Sequence, residues 1–345
     1  MTMMTSPFVA QPMPLNRLMY RVIGALLPGM AVATWAFGIG VLVQVALAVA
    51  VALATEAWCL NLRRYPVRPY LADGSAVLTA CLLALSIPPL APWWLVVLGT
   101  FIAVGFVKHL FGGLGQNPFN PAMIGFAALI VSFPAQMSRW AAPLALAPAD
   151  LDAVAQIGLI FTGHLSSGAG FDAVASATPL DAIRTGLLQR IPLADILGTP
   201  KFGALGGAAQ QWIALGYLLG GLFLWQQRVI QWRLPVVFLG SVFLTATLFY
   251  WANPAHYASP LLHLFAGGTM LGAFFIVTDP VTSPTTPLGQ IIFAGLAGVL
   301  AYLIRVLGNF PDGVAFSVII MNIVVPFLDQ YTQPAVFGRK KGGRA

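Results

Sequence analysis

The sequence predicts an all-α polytopic membrane protein of about ten transmembrane helices, arranged as two inverted repeats of five helices each. Three observations lead to this fold class. Of the 345 residues, 59% are hydrophobic and only 8% are charged, whereas a soluble domain carries about 25% charged residues. Apolar runs long enough for a helix to cross a bilayer, about 20 residues, recur along the chain. A long polar segment divides them into five and five, and an odd number per half makes the second half enter the membrane in the opposite sense.

The apolar runs set the predicted domain organisation. A first transmembrane repeat covers 1–135, a second covers 210–333, and the segment 136–209 separates them. Residues 334–345 form a basic tail. Pro and Gly mark most boundaries between the runs, where they interrupt helices. The runs are 21–37, 39–61, 74–90, 92–110, 119–135, 210–227, 234–252, 260–278, 288–307 and 314–331.

The basic residues predict the orientation of the chain. With the N-terminus in the cytoplasm, most of the 17 Lys and Arg residues fall on the cytoplasmic side, as the positive-inside rule requires. All but one of the exceptions lie in 136–209, and long segments are translocated largely regardless of charge. We therefore expect both termini inside and 136–209 outside. Because topology accounts for the net charge of +7, that charge does not indicate a nucleic-acid partner. The exceptions are Arg139, Arg184, Arg190, Lys201 and Arg305.

Residues 172–184 of the outer segment read D-A-V-A-S-A-T-P-L-D-A-I-R. Pro179 suits the first position of a helix because its missing N–H costs nothing there. Thr178 is then the predicted N-cap, with Asp181 in the capping-box position. A helix N-terminus gathers unpaired N–H groups and the positive end of the helix dipole, so it suits a phosphate. From these residues alone, an ordinary capped helix start and a phosphate site both remain open.

Two polar, proline-punctuated stretches interrupt the apolar pattern, one in each half. Residues 111–122 read F-G-G-L-G-Q-N-P-F-N-P-A, and residues 278–290 read T-D-P-V-T-S-P-T-T-P-L-G-Q. Interrupted segments in opposite halves are typical of a binding site at a repeat interface. Asn117 and Asn120 offer amide donors and acceptors that suit the polar edge of a flavin ring, and Asp279 is the carboxylate nearest the membrane. A tight cytoplasmic turn and a solvated loop are the alternatives for these stretches.

Two charged residues fall within apolar runs. Glu56 lies about one turn from the cytoplasmic end of the second run, and Lys108 lies close to the end of the fourth. Ionisable residues inside a membrane are functional candidates, so Glu56 is a candidate for an ion path. Lys near a helix end usually snorkels to the interface. Cys59 and Cys81 are expected to be buried and free, and no cluster in the sequence has metal-ligand spacing.

Five stretches resemble one family, the D subunits of Rnf electron-transport complexes and the B subunits of the sodium-pumping NADH:quinone reductase. The segment A-S-A-T-P-L-D-A resembles the family's flavinylation site, a pattern close to D-G-x-S-G-A-T. Asp172, Ala177 and Thr178 fit that pattern, while Ala173, Ala175 and Ser176 replace its Gly, Ser and Gly. The other four stretches are P-Y-L-A-D-G-S-A at 69–76, G-Q-N-P-F-N-P-A at 115–122, V-T-D-P-V-T-S-P-T-T-P-L-G at 277–289 and F-P-D-G-V-A-F at 310–316.

The resemblance covers essentially the whole chain, and its implications are specific. It implies a fold similar to urea and ammonium channels and FMN attached through its phosphate to Thr178. It also implies a second, non-covalent flavin, riboflavin, among the spans near the cytoplasmic side, with Asn117, Asn120 and Asp279 as its candidate ligands. Electrons would pass between ferredoxin and NAD pools, coupled to Na⁺ or H⁺ transport across a bacterial inner membrane.

The implied partners are the other subunits of the complex, including a second flavinylated subunit and iron–sulfur subunits, and a flavin transferase. NADH and iron–sulfur chemistry would belong to those subunits. A cofactor-free channel or transporter with an inverted-repeat fold is the alternative function, because hydropathy and interrupted spans fit both. Colour distinguishes the two, since a purified channel is colourless and a flavoprotein is yellow.

Overall fold

A computed structural model describes residues 13–147, 151–165, 171, 174–308, 310 and 312–334. Among them, five helices are long and apolar enough to cross a membrane, which agrees with a polytopic membrane protein. Shorter apolar helices account for the other predicted spans. The first twelve residues, most of the basic tail, Asp172 and Ala173 lie outside the described residues.

Helices occupy every apolar run that the sequence analysis assigned. The first half contains α1 (Leu15–Phe37), α2 (Gly40–Leu62), α3 (Val67–Leu71), α4 (Ser75–Ala84), α5 (Trp93–Phe101) and α6 (Pro121–Ser132). The middle segment contains α7 (Pro134–Ser138), α8 (Ala153–Thr162), α9 (Pro179–Leu188) and α10 (Leu193–Leu197). The second half contains α11 (Gln210–Gln226), α12 (Arg233–Ala252), α13 (Pro260–Phe265), α14 (Thr269–Leu271), α15 (Pro287–Leu307) and α16 (Val314–Tyr331).

A polar residue followed by Pro begins four of these helices. The polar side chain accepts a hydrogen bond from a backbone N–H of the first turn, and Pro occupies the position whose N–H would otherwise be unpaired. The four pairs are Asn120-Pro121, Thr178-Pro179, Ser259-Pro260 and Thr286-Pro287. The sequence therefore fixes the starting points of α6, α9, α13 and α15 locally.

Two predicted spans are shorter than expected. Helix α4 ends at Ala84, although the predicted run continues to residue 90, because Pro88 and Pro89 cannot extend a helix. The run 260–278 breaks at residues 266–268, where Gly267 adopts a positive φ of 63° that side chains disfavour. The chain then resumes as α14. The expectation of continuous helices at these two places was wrong.

Among the described residues, each half of the chain contains one π-helical segment. Helix α5 continues as a π-helix over Ile102–His109, and α14 continues as a π-helix over Gly272–Ile276. Each π segment leads directly into one of the two polar stretches. Wide turns of this kind are rare and concentrate at functional sites.

The middle segment is not purely helical. Strands β1 (Trp140–Ala141) and β2 (Ala175–Ser176) pair antiparallel, with Trp140 opposite Ser176. This small sheet corrects the all-α prediction locally. It ties the beginning of the segment to its middle, directly before Thr178.

The two halves meet where α1 packs on α11 and where α6 packs on α16. The α1–α11 contact is close because glycines remove side chains from it. A Cβ on Gly220 would overlap the carbonyl oxygen of Ala25, and a Cβ on Gly29 would overlap the Tyr217 ring. Small residues at such a crossing let the backbones approach, as is common between membrane helices.

We expect Gly220→Ala to lower the free energy of unfolding by about 1–3 kcal/mol, the usual cost of overpacking. The Ala25 backbone cannot move out of the way without separating α1 from α11. Gly24→Ala is the matched control, since nothing lies within 4 Å of the added methyl group. Thermal unfolding in detergent measures both, and equal midpoints for the two variants would contradict the close crossing.

Candidate functional site

Two cavities lie between the halves of the protein. The first, here the Thr178 cavity, has an empty volume of about 1220 Å³, part of it open to the outside. The second, here the Asn120 cavity, has an empty volume of about 810 Å³. Elements of both halves line each of them. The first cavity is larger than a typical small-molecule site, and the second lies in the upper part of the usual size range.

Thr178 lies at the rim of the first cavity and caps helix α9. Its Oγ1 accepts a hydrogen bond from the Asp181 N–H at 3.2 Å, and Pro179 is the first helical residue. These contacts confirm the predicted N-cap. The Thr178 side chain is only half-buried, so its hydroxyl remains reachable from the cavity.

A smaller groove continues from Thr178 along the middle segment. Trp140, Ser176 and Lys201 line it together with Thr178. Ser176 lies in strand β2, opposite Trp140, and not at a helix start. The groove therefore brings one cation and one aromatic ring beside the helix N-terminus.

The Asn120 cavity brings together the polar residues that the sequence analysis selected from the two broken stretches. Asn117, Asn120 and Asp279 all line it. Asn120 Nδ2 donates to Asp279 Oδ2 at 3.3 Å across the two halves of the chain. Asn117 Nδ2 donates to the Phe119 carbonyl, while its Oδ1 has no partner among the described residues and is buried. Burying an acceptor unpaired is costly, so this atom is one that a ligand of the cavity could bond.

Asp279 lies between the π segment and α15. Burial raises the pKa of this carboxyl above its usual value, and hydrogen bonds from Val281, Thr282 and Asn120 offset the increase only in part. Its two carboxyl oxygens accept these three hydrogen bonds and join Asn120 to the start of the second polar stretch.

Asn322 ties the two broken stretches together, and sequence reasoning did not select it. Its Oδ1 accepts from the Asn120 N–H at 3.1 Å, and its Nδ2 donates to the Thr282 carbonyl at 2.9 Å. It is an amide in the middle of the apolar run 314–331. Its position in an apolar run was the sequence signal that could have identified it, since polar residues inside a membrane usually pair with other polar groups.

Lys108 and Glu56 form a buried ion pair at the edge of the Asn120 cavity. Lys108 Nζ donates to Glu56 Oε1 at 2.5 Å and to Ser75 Oγ at 2.7 Å. His109 Nε2 lies 3.5 Å from the same Glu56 oxygen. Only 2% of Lys108 is exposed, so the expectation that it snorkels to the interface was wrong.

A second buried ion pair, Arg305 with Asp312, lies beside the Thr178 cavity. Arg305 donates to Asp312 Oδ1 at 2.9 Å and to Thr269 Oγ1 at 2.8 Å. Asp312 Oδ2 accepts from the Gly268 N–H at 2.6 Å, which holds the break before α14. Burial raises the pKa of Asp312, but the Arg305 charge and these hydrogen bonds outweigh it, so the pKa lies below its usual value. Sequence reasoning counted Arg305 only as an exception to the charge rule.

Both cysteines match expectation, since Cys59 and Cys81 are buried and free.

The Thr178 and Asn120 cavities do not merge. Tyr217 lines the first and Phe275 lines the second, and their rings contact edge to face with centroids 6.0 Å apart. The two polar sites therefore face opposite sides of one apolar layer.

Known proteins are similar to this sequence over nearly its full length. Residues 2–338 match the model described as the NQR2, RnfD, RnfE family. Two curated proteins from Salmonella newport (strain SL254) and Salmonella agona (strain SL483) are named as the D subunit of an ion-translocating oxidoreductase complex. Each is 50% identical over 346 residues, 98% of this chain and 98% of theirs. The protein of that name from Salmonella typhimurium is 50% identical over the same share of both chains.

We expect Asn322→Leu to lower the thermal midpoint markedly. The change keeps the branched shape and the number of side-chain heavy atoms but leaves the Asn120 N–H and the Thr282 carbonyl unpaired, at roughly 1–3 kcal/mol for each buried group. Asn61→Leu, at an exposed position of α2, is the matched control and should change stability by less than about 0.5 kcal/mol. Equal stability of both variants would mean that Asn322 does not hold the two stretches together.

Proposed function

This chain belongs to the NQR2, RnfD, RnfE family, and we propose that it is the flavin-carrying membrane subunit of an ion-translocating oxidoreductase. FMN is ester-linked to Thr178 through its phosphate, and riboflavin occupies the Asn120 cavity without a covalent bond. The observation that carries the proposal is the position of Thr178. A reachable hydroxyl, a helix N-terminus and a large cavity between the halves coincide there.

The residues around Thr178 fit a flavin phosphate. Its hydroxyl supplies the ester oxygen, which Val or Asn could not. The N–H groups of the first turn of α9 and the positive end of its dipole favour the negative charge of the phosphate. Ala175, Ser176 and Ala177 are small, which leaves room for a transferase that uses FAD and magnesium. The adjoining Trp140 offers a surface against which a ring can stack.

The residues of the Asn120 cavity fit the second flavin. Asn117 Oδ1 is a buried acceptor without a partner among the described residues, and flavins carry a ring N–H that could satisfy it. Asn120, held by Asn322 and Asp279, adds an ordered amide. Bound flavins supply the ability to take up and release electrons, while the protein positions them and excludes water.

The packing of the helices supports an inverted repeat of two sets of five. Helix α2 packs on α4 and α5 in the first half, as α12 packs on α13 and α15 in the second. The contacts of α1 with α11 and of α6 with α16 join equivalent members of the two sets. We place both termini in the cytoplasm and Thr178 on the periplasmic side of a bacterial inner membrane, in agreement with the distribution of basic residues.

Other subunits complete the electron path in this proposal. They include a second flavinylated subunit and iron–sulfur subunits, which connect ferredoxin and NAD pools. Glu56 is the proposed contributor to the path of the coupling ion, Na⁺ or H⁺. Its Oε2 atom is buried without a partner among the described residues, so it keeps a free acceptor for a cation or a proton.

Covalent attachment is tested by Thr178→Asn, which removes the hydroxyl but keeps a good N-cap. The wild-type protein, made in cells that contain the transferase, should give a fluorescent band in a denaturing gel, and the variant should give none. Ser176→Ala is the matched control, because it removes the nearest other hydroxyl, and it should stay fluorescent. A fluorescent Thr178→Asn band would refute the assignment, and a colourless wild-type protein would favour the cofactor-free channel.

Non-covalent binding is tested by Asn117→Ala. Losing this buried acceptor should weaken riboflavin binding by roughly one to two decades, the equivalent of about 1–3 kcal/mol. The measurement is riboflavin released by acid precipitation, per protein, followed by fluorescence titration. Gln116→Ala, an exposed neighbour outside the cavity, is the matched control. We prefer position 117 to Asn120→Leu, because Asn120 also caps α6. Unchanged affinity would remove Asn117 from the site.

A further inference from the structure

Lys108 is part of a cavity wall and also of a buried ion pair. It is a lining residue of the Asn120 cavity, and its ammonium group is bonded to Glu56 and Ser75. A buried charge inside a membrane protein is expensive unless it is paired and hydrogen-bonded. The Glu56 carboxylate supplies that pairing, so Lys108 can remain a cation next to an otherwise largely apolar cavity.

One donor of this ammonium group is left over. A Lys side chain carries three N–H donors. Glu56 Oε1 and Ser75 Oγ take two of them, and no other side chain or carbonyl of the described residues accepts the third. Ser75 Oγ is itself fixed, because it donates to Asp73 Oδ1 at 2.5 Å. Two N–H groups of Lys108 are therefore fixed by protein acceptors, and the third is left for another acceptor.

The cavity also holds an acceptor without a partner among the described residues, Asn117 Oδ1. A charged donor from the first half and this buried acceptor thus line one cavity. The pyrimidine edge of a flavin alternates carbonyl acceptors with one N–H donor, and this pattern matches a charged donor and an amide acceptor on the same wall. Apolar rings that lack polar edges would leave both groups unpaired, which costs affinity.

We propose that Lys108 is a binding residue for the flavin of the Asn120 cavity, donating its third N–H to a ring carbonyl while Glu56 holds it in place and charged. This inference rests on the proposed function, which supplies the flavin. It adds a cation that neither the motifs nor the related proteins' names assign. It also makes one ammonium group common to the flavin site and to the candidate ion-path carboxylate.

The test separates binding from the loss of a buried ion pair. Breaking the pair from either end leaves an unpaired charge, so single variants could lose flavin through instability alone. The double variant Lys108→Met/Glu56→Gln removes both charges, and Glu56→Gln alone keeps the cation. Non-covalent riboflavin is titrated by fluorescence quenching in the full-length protein. Covalent fluorescence at Thr178 and the thermal midpoint report on folding.

We expect the double variant to bind riboflavin roughly 10–100-fold more weakly than wild type with Thr178 still fluorescent, and Glu56→Gln, which keeps the cation but no longer pairs with it, to lose less. That range corresponds to a hydrogen bond from a charged group, about 1.5–3 kcal/mol. Lys108→Gln is the second variant, because its amide can still donate to Glu56, and with an unchanged thermal midpoint it should show the same loss. That result decides whether Lys108 binds the flavin if the double variant does not fold.

Two failures are distinguishable. If wild-type protein does not bind riboflavin at all, the flavin assignment of the cavity is wrong and Lys108 loses its role with it. If wild type binds riboflavin and the folded Lys108 variants bind it as tightly as Glu56→Gln does, the flavin assignment stands and Lys108 is only a structural partner of Glu56.

Discussion

The constraint on which this structure depends is that polar groups inside the membrane must find partners within the protein. Lipid tails offer none, and each unsatisfied backbone group costs several kcal/mol. A continuous helix pairs its own backbone groups, whereas the chain at the breaks after the π segments and before α14 does not. At these breaks a few side chains form hydrogen bonds with the backbone groups instead. Asn322 satisfies the Asn120 N–H and the Thr282 carbonyl, and Asp312 satisfies the Gly268 N–H. The cavities exist because these side chains hold non-helical backbone open.

The two ion pairs follow the same logic, one beside each cavity. Lys108 lies in the last turn of the π segment of the first half, and Arg305 lies in the last turn of α15. Each cation donates to the side chain of the first residue of a short helix, Ser75 of α4 or Thr269 of α14. Breaking a buried pair is far more costly than never having had one. The pairs therefore help to hold the starts of the two half-length helices beside the cavities.

Local sequence signals predicted the parts of the two sites that depend only on residues adjacent in the chain. Thr178-Pro179 predicted the start of α9, and the polar stretches predicted where non-helical backbone would lie. Their mutual placement also followed, since Asn120 meets Asp279 across the two halves. The role of Asn322 could not be predicted from the sequence, because its partners lie far away in the chain. The pairing of Lys108 with Glu56 could not be predicted for the same reason, because the two residues are 52 positions apart in the chain. Lys108 was therefore interpreted as a snorkelling residue.

Under the proposal, one cation serves both a flavin site and an ion-path carboxylate, and this has a thermodynamic consequence. Lys108 donates to Glu56 and to the flavin at the same time, so a cation or proton that binds Glu56 changes the charge and position of Lys108 and, with them, the affinity for the flavin. Linkage makes this effect reciprocal and equal in free energy. Asn117, Asn120 and Asp279 carry no fixed positive charge, so none of them could transmit a change at Glu56 in this way. Lys108, which lines the Asn120 cavity and bonds Glu56, therefore gives the proposed flavin site a direct contact with the proposed ion-path carboxylate.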